Sequence, residues 1–142
     1  MTLVPINPKE LGAPRGYSNG MLSLPGGRLL TIAGQIAWDH DQSIVSNDFA
    51  QQFGQALANV VTVVREAGGK AADLSQLTIY VTDHKEYVND LKNVGEVYRE
   101  HMGRHYPTMA LVEVQALLDP AAKVEIQGLA VLPAATLAEG AG

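Results

Sequence analysis

The most constraining feature of the sequence is an amphipathic pattern over residues 47–67. Its apolar side chains recur at steps of three and four, which is the spacing of one face of an α-helix. They are Phe49, Phe53, Ala56, Leu57, Val60, Val61, Val64 and Ala67. Asn47 or Asp48 can cap the first turn, and Gly68 and Gly69 end the helix, because glycine tolerates the left-handed conformation of a helix C-terminus. A helix with one apolar face must pack on another layer, so the chain is expected to be layered.

Several short segments rich in β-branched and apolar residues are predicted to be strands. Their sequences are MLSL, RLLTIAG, LTIYVTD, MALVEVQAL and AKVEIQGLAVL. A Pro-Gly-Gly turn between the first two predicts a hairpin. A second helix is predicted from about Tyr87 to Met102, with Pro107 beyond its end. The order β-β-α-β-α-β-β predicts an α+β fold in which two helices cover one face of a mixed sheet.

The predicted strands carry more apolar residues than a half-solvated sheet needs. Two helices can cover only one face of such a sheet, so the other face is expected to be buried by self-association. We therefore expect an oligomer with a sheet-lined centre.

Length and composition narrow the classes of function. The 142 residues suit one domain, assigned to residues 1–132 and followed by a flexible C-terminal tail at 133–142. A net charge of −5 disfavours nucleic-acid binding, which depends on clustered Lys and Arg. No apolar run or leader predicts membrane insertion or secretion, so a cytoplasmic location is expected. Without cysteine, and without a helical histidine pair near His40 or His84, no metal site is predicted.

Five motifs resemble, in order and spacing, those of the Rid family of reactive intermediate deaminases, also called the YjgF family. The resemblance spans roughly residues 14–132. The motifs are GYSNGM, LLTIAGQIAWD, NVVTVVREAGGKAADLSQLTIYVTD, YPTMALVEV and AKVEIQGLAVL.

This resemblance implies a homotrimer with a chorismate-mutase-like fold, in which three sheets pack around the axis. A small-molecule ligand would bind in a cleft at each subunit boundary. Members of the best-known type hydrolyse reactive enamines and imines to a keto acid and ammonia, and they need no cofactor.

The resemblance also assigns candidate site residues. A family tyrosine falls on Tyr17, and a family glutamate that helps to place a water falls on Glu125, so both are predicted to be catalytic. On its strand, Glu125 alternates to the face opposite Val124 and Ile126. The remaining predicted ligand contacts are Met109, Leu111, Ala33, Gln35, Arg15 and His105.

Met109 occupies the position where this type of member has an arginine that grips the substrate carboxylate. Arginine donates paired, charge-assisted hydrogen bonds, and methionine donates none. Leaving a buried carboxylate without that partner costs about 2–5 kcal/mol. The expected ligand therefore places an apolar group here, and a simple 2-imino acid is disfavoured. Arg15 and His105 are candidate replacement cations, although a charged loop residue is more often simply solvated.

Two functions of different classes are compatible with the sequence. The favoured one is a cofactor-independent hydrolase of a reactive imine, enamine or related electrophile. The alternative is a non-catalytic trimer that binds a metabolite or stabilises a partner enzyme. Endoribonuclease activity, described for some relatives, fits poorly with the negative net charge.

Overall fold

The structure is a computed structural model that describes residues 2–134. The predicted tail, 133–142, therefore lies outside the described residues from position 135 onward. The strands are β1 (Leu3–Ile6), β2 (Gly20–Ser23), β3 (Arg28–Gln35), β4 (Leu74–Val81), β5 (Thr108–Glu113) and β6 (Val124–Leu132). The α-helices are α1 (Phe49–Glu66), α2 (His84–Val88) and α3 (Leu91–Met102).

The main sheet has four strands in the order β3-β6-β4-β5. β4 and β5 run parallel, whereas β6 is antiparallel to both of its neighbours, so the sheet is mixed as predicted. Buried side chains of α1, α3 and one face of the sheet form a single apolar cluster, which includes Leu57, Leu77 and Ile126. The predicted α+β fold, with helices on one face of the sheet, is confirmed.

Helix α1 matches its predicted limits. Asp48 is the N-cap, and its carboxylate accepts a hydrogen bond from the backbone N–H of Gln51 at 3.0 Å. Gly68 follows the last turn with a φ of +91°, a left-handed conformation that favours glycine. Both ends of the helix are therefore set by local sequence.

Asp48→Ala is expected to lower the free energy of unfolding by about 1 kcal/mol, because the first turn of α1 loses its side-chain acceptor. Urea denaturation followed by circular dichroism measures the change. Asn47→Ala is the matched control, since the neighbouring Asn47 is exposed and does not cap the helix. An equal loss in both variants would contradict this assignment of the cap.

The predicted hairpin is wrong. β2 pairs with β1 in a separate two-stranded antiparallel sheet, and β3 pairs with β6. No strand was predicted for residues 3–6, where Pro5 disfavours a central strand. Proline is tolerated in an edge strand, and here Pro5 lies opposite Met21. β2 therefore has a partner other than the strand that follows it in sequence.

The predicted second helix is two helices. Asp83 caps α2, and a break at Asn89 and Asp90 precedes α3. Asp90 is not helical, with φ −134° and ψ 34°, and its carboxylate accepts a hydrogen bond from the Asn93 side chain at 2.7 Å. Asn and Asp side chains compete for backbone and local partners, which explains the interruption at this pair.

In the described part of the chain, no helix is both long enough and apolar enough to cross a membrane.

Candidate functional site

A cavity of about 360 Å³ lies between the helices, one edge of the sheet and the loop that precedes β2. Its inner wall is apolar, and contributions come from α1, β4, α3 and β5. The residues of this wall are Phe53, Ile79, Val94, Met109 and Leu111. This volume falls within the range of pockets that hold small organic ligands.

The register of β5 directs two predicted ligand contacts into the cavity. Met109 pairs with Leu77 and Leu111 pairs with Ile79, in parallel register. Leu77 and Ile79 are buried beneath the helices, so Met109 and Leu111 share the helix-facing side of the sheet. Both are partly buried against the apolar core.

The loop before β2 contributes Arg15 and Tyr17 to the rim of the cavity. The buried Ser18 anchors this loop to the segment that precedes β5. Its backbone N–H donates to the carbonyl of Pro107 at 3.1 Å, and its hydroxyl donates to that of Tyr106 at 2.7 Å. Tyr17 remains 40% exposed at this rim.

An aromatic pair forms another wall. The rings of Tyr98 and Tyr106 stack at 5.4 Å between centroids, with 4° between their planes. The Tyr98 hydroxyl donates to the carbonyl of His105 at 2.6 Å. Burial, with a smaller contribution from Tyr106, raises the pKa of Tyr98 well above its ordinary value. Tyr98 therefore stays neutral and serves as a wall rather than as a base.

His105 is not among the residues that line the cavity. Its Nε2 lies 2.6 Å from the carbonyl oxygen of Leu74, so that nitrogen must carry the hydrogen. The ring thereby links the chain before β5 to the start of β4.

Glu125 lies on the opposite face of the sheet from Met109. It pairs with Tyr80 on β4, whereas its neighbours Val124 and Ile126 are fully buried beneath the helices. The Glu125 carboxylate lies directly over Gly34, where a Cβ would overlap it. A glycine at position 34 therefore makes room for this acid.

Ala33 and Gln35 flank Gly34 where the β3–β6 register is irregular, and Gln35 pairs with Ile126, a buried residue of the helix-facing side of β6. The Gln35 side chain donates to the carbonyl of Ala33 at 3.3 Å. Irregular pairing of this kind bends a strand and redirects its side chains.

The structure therefore divides the predicted site residues into two groups. Arg15, Tyr17, Met109 and Leu111 meet in the cavity, whereas Glu125 lies on the opposite face of the sheet, and Ala33, Gln35 and His105 are not among the cavity-lining residues. Sequence reasoning missed the contributions of α2, of α3 and of Tyr106, which precedes β5, to the cavity. The additional residues are Tyr87, Leu91, Gly95, Tyr98, Arg99 and Tyr106. The sequence contained one sign of the α3 contribution, because Leu91, Gly95 and Arg99 are spaced four residues apart and therefore lie on one helix face.

Asp83, His84 and Glu113 form an exposed cluster whose ligand-type atoms lie within 4.8 Å of one another. These atoms already have protein partners. The Glu113 carboxylate accepts from the His84 backbone N–H at 2.9 Å and lies 2.8 Å from its Nδ1. The backbone N–H and the ring of His84 lower the pKa of Glu113. Asp83 caps α2 through the Lys85 N–H. The arrangement is explained as a helix cap.

The chain is similar in sequence to known proteins. The family model described as Endoribonuclease L-PSP matches residues 8–132. A 2-iminobutanoate/2-iminopropanoate deaminase of Salmonella typhimurium is 33% identical over 108 residues, which cover 74% of this chain and 80% of that protein.

Two solved structures are similar to the whole fold. YyfB of Yersinia pestis, a Rid-family protein of unknown function, has a TM-score of 0.82 and 33% identity, and the match covers 93% of this chain and all of that one. TdcF of Escherichia coli, solved with bound serine, has a TM-score of 0.62 and 31% identity, with 84% and 91% of the two chains covered.

Proposed function

The chain belongs to the Rid family, whose model carries the description Endoribonuclease L-PSP, and on this premise we propose that it hydrolyses a reactive imine or enamine other than a simple 2-imino acid. The observation that carries the proposal is the apolar inner wall of the cavity, with Met109 and Leu111 side by side. The proposal is supported by similarity to a deaminase of 2-imino acids. Because Met109 can donate no hydrogen bond to a carboxylate, it favours a ligand other than a simple 2-imino acid.

We further propose that the working site is formed between subunits of a homotrimer. Within one protomer the sheet separates Glu125 from Tyr17 and Met109, so a ligand in the cavity cannot meet all three. The face that carries Glu125 also exposes apolar side chains, with Leu29 at 68% and Val112 at 43%. Association through this face would bury them and bring the Glu125 of one protomer to the cavity of another.

The proposed chemistry is the addition of water to a carbon–nitrogen double bond. Glu125 takes a proton from the attacking water as the oxygen–carbon bond forms, and it passes this proton to the nitrogen, which receives the electron pair of the carbon–nitrogen π bond. The hydroxyl of the resulting carbinolamine then gives up its proton, the nitrogen gains one, and the carbon–nitrogen bond breaks, which gives a carbonyl compound and ammonia. Tyr17 donates a hydrogen bond to the ligand, and the apolar wall excludes bulk water. No bound cofactor is part of this scheme.

A non-catalytic trimer that binds a metabolite or stabilises a partner is the second candidate. The observation in its favour is the combination of Met109, Leu111 and Ala33, since none of these side chains can take part in polar chemistry. Ligand-dependent thermal stabilisation without turnover would support this alternative.

The test compares ammonia release from two imines generated in place by amine-oxidising enzymes, one a 2-imino acid and the other an apolar imine without a carboxylate. The wild type is expected to accelerate hydrolysis of the apolar imine more strongly. Met109→Arg is expected to shift the preference toward the 2-imino acid by about tenfold or more, because it restores a carboxylate partner.

Met21→Arg is the matched control, because Met21 lies on β2 and does not line the cavity. It should leave the substrate preference unchanged. If neither the wild type nor Met109→Arg releases ammonia above background from either imine, the hydrolase proposal is wrong and the ligand-binding alternative replaces it.

A further inference from the structure

Among residues 2–134, two guanidinium groups border the cavity and no acidic residue lines it. Arg15 comes from the loop before β2, and Arg99 comes from α3. Within residues 2–134, neither side chain forms an ion pair or a hydrogen bond with a protein group, unlike the pair of Lys123 and Glu86. An arginine beside an apolar cavity without a protein anion is available to a ligand.

The Arg99 guanidinium lies against Gly95. One of its terminal nitrogens lies 3.1 Å from the point where a Cβ on Gly95 would stand. The guanidinium is therefore folded back along α3, and a side chain at position 95 would shift it by a few tenths of an ångström. Glycine in a helix interior lowers helix stability, and close packing of the guanidinium on Gly95 is a local reason for its presence.

The rest of the lining suits an apolar body of moderate size. Three tyrosines line the cavity together with Met109, namely Tyr87, Tyr98 and Tyr106. A volume of about 360 Å³ equals that of about a dozen water molecules in the liquid, at roughly 30 Å³ each, and so accommodates about a dozen non-hydrogen atoms. This is more room than a three- or four-carbon imino acid requires. An aromatic or branched side chain would fill it and stack on the tyrosine rings.

We propose that the cavity binds an organic acid with an aromatic or branched apolar body, whose carboxylate pairs with Arg99 while its body rests on Met109 and Leu111. The ionic contact is thus on α3 instead of on β5, and the carboxylate is separated from the reacting carbon by an apolar spacer. A carboxylate suits one planar guanidinium, and none of the described residues that line the cavity is a lysine that could help to neutralise a phosphate dianion. This inference rests on the proposed function only in taking the cavity as the ligand site.

The experiment measures equilibrium binding, which requires no turnover. Isothermal titration calorimetry compares 3-phenylpropanoate with the uncharged 3-phenylpropanamide, on the wild type and on Arg99→Gln. The wild type is expected to bind the acid about tenfold or more tightly than the amide, and Arg99→Gln should lose that preference. Arg65→Gln, an exposed arginine on α1 that does not line the cavity, is the control and should retain it.

Three results would overturn the proposal. The first is no binding of the acid by the wild type at about 10 mM, a concentration at which even weak specific ligands are detected. The second is equal affinity of the wild type for the acid and the amide. The third is an unchanged preference for the acid in Arg99→Gln. Binding as expected without ammonia release would sustain this inference and remove the hydrolase proposal. Hydrolysis of apolar imines, together with equal binding of the acid and the amide, would sustain the hydrolase proposal and remove this inference.

Discussion

Glu125→Gln is expected to reduce kcat/KM for imine hydrolysis by about 100-fold or more. General acid–base catalysis by a placed side chain contributes about 10²- to 10⁴-fold, and glutamine keeps the shape of the side chain but cannot accept the proton of water. Ammonia release from an apolar imine measures the effect. Because Glu125 is only partly buried and its carboxylate lies over Gly34, the substitution should leave the melting temperature close to that of the wild type.

Glu113→Gln is the matched control for this prediction. Glu113 belongs to the same sheet but is exposed, and its carboxylate is bound to His84 at the start of α2. The control should hydrolyse imines at the wild-type rate. An equal loss of rate in both variants would point to a general effect of charge, and an unaffected Glu125→Gln would remove Glu125 from the mechanism.

Gln52→Leu is expected to lower the free energy of unfolding by at least about 3 kcal/mol, because each buried polar group left without a partner costs about 1–3 kcal/mol. Gln52 has no exposed surface. Its Nε2 donates to the carbonyls of Ser46 at 2.8 Å and Ala121 at 3.0 Å. Its Oε1 accepts from the backbone N–H of Lys123 at 2.8 Å. Leucine fills a similar volume but leaves three backbone groups unpaired.

Urea denaturation compares Gln52→Leu with Gln51→Leu, the same substitution at an adjacent, exposed position of α1. The control is expected to change stability by less than about 0.5 kcal/mol, as is usual for surface substitutions. A similar small loss in Gln52→Leu would show that water or a local rearrangement satisfies the three groups. Lys123 directly precedes β6, so this network also holds the strand that carries Glu125.

Several parts of the fold follow from local sequence alone. The limits of α1 were predictable because a helix repeats every 3.6 residues and its ends need particular residues, here Asp48 and Gly68. The strands β4 and β6 were predictable from their short β-branched runs. The alternation that separates Glu125 from Val124 was also visible, because side chains along a strand point to opposite faces.

The pairing of β2 and the break in the second helix were not predictable in this way. β2 pairs with β1 although β3 also lies at the edge of its sheet, so strand propensity alone does not decide between the two neighbours. Asn89 and Asp90 were included in a helix whose apolar spacing continued past them, although their side chains favour local polar partners.

For the candidate site, the sequence by itself determined which chemical groups are present, including the methionine at position 109 and the acid at 125. Tertiary structure alone decided which of them meet. It places Met109, Tyr17 and Arg99 around one cavity, and it puts Glu125 behind the sheet. The physical reason is that the periodicity of a strand or helix fixes relative orientation within one element, whereas proximity between elements depends on how their apolar faces pack.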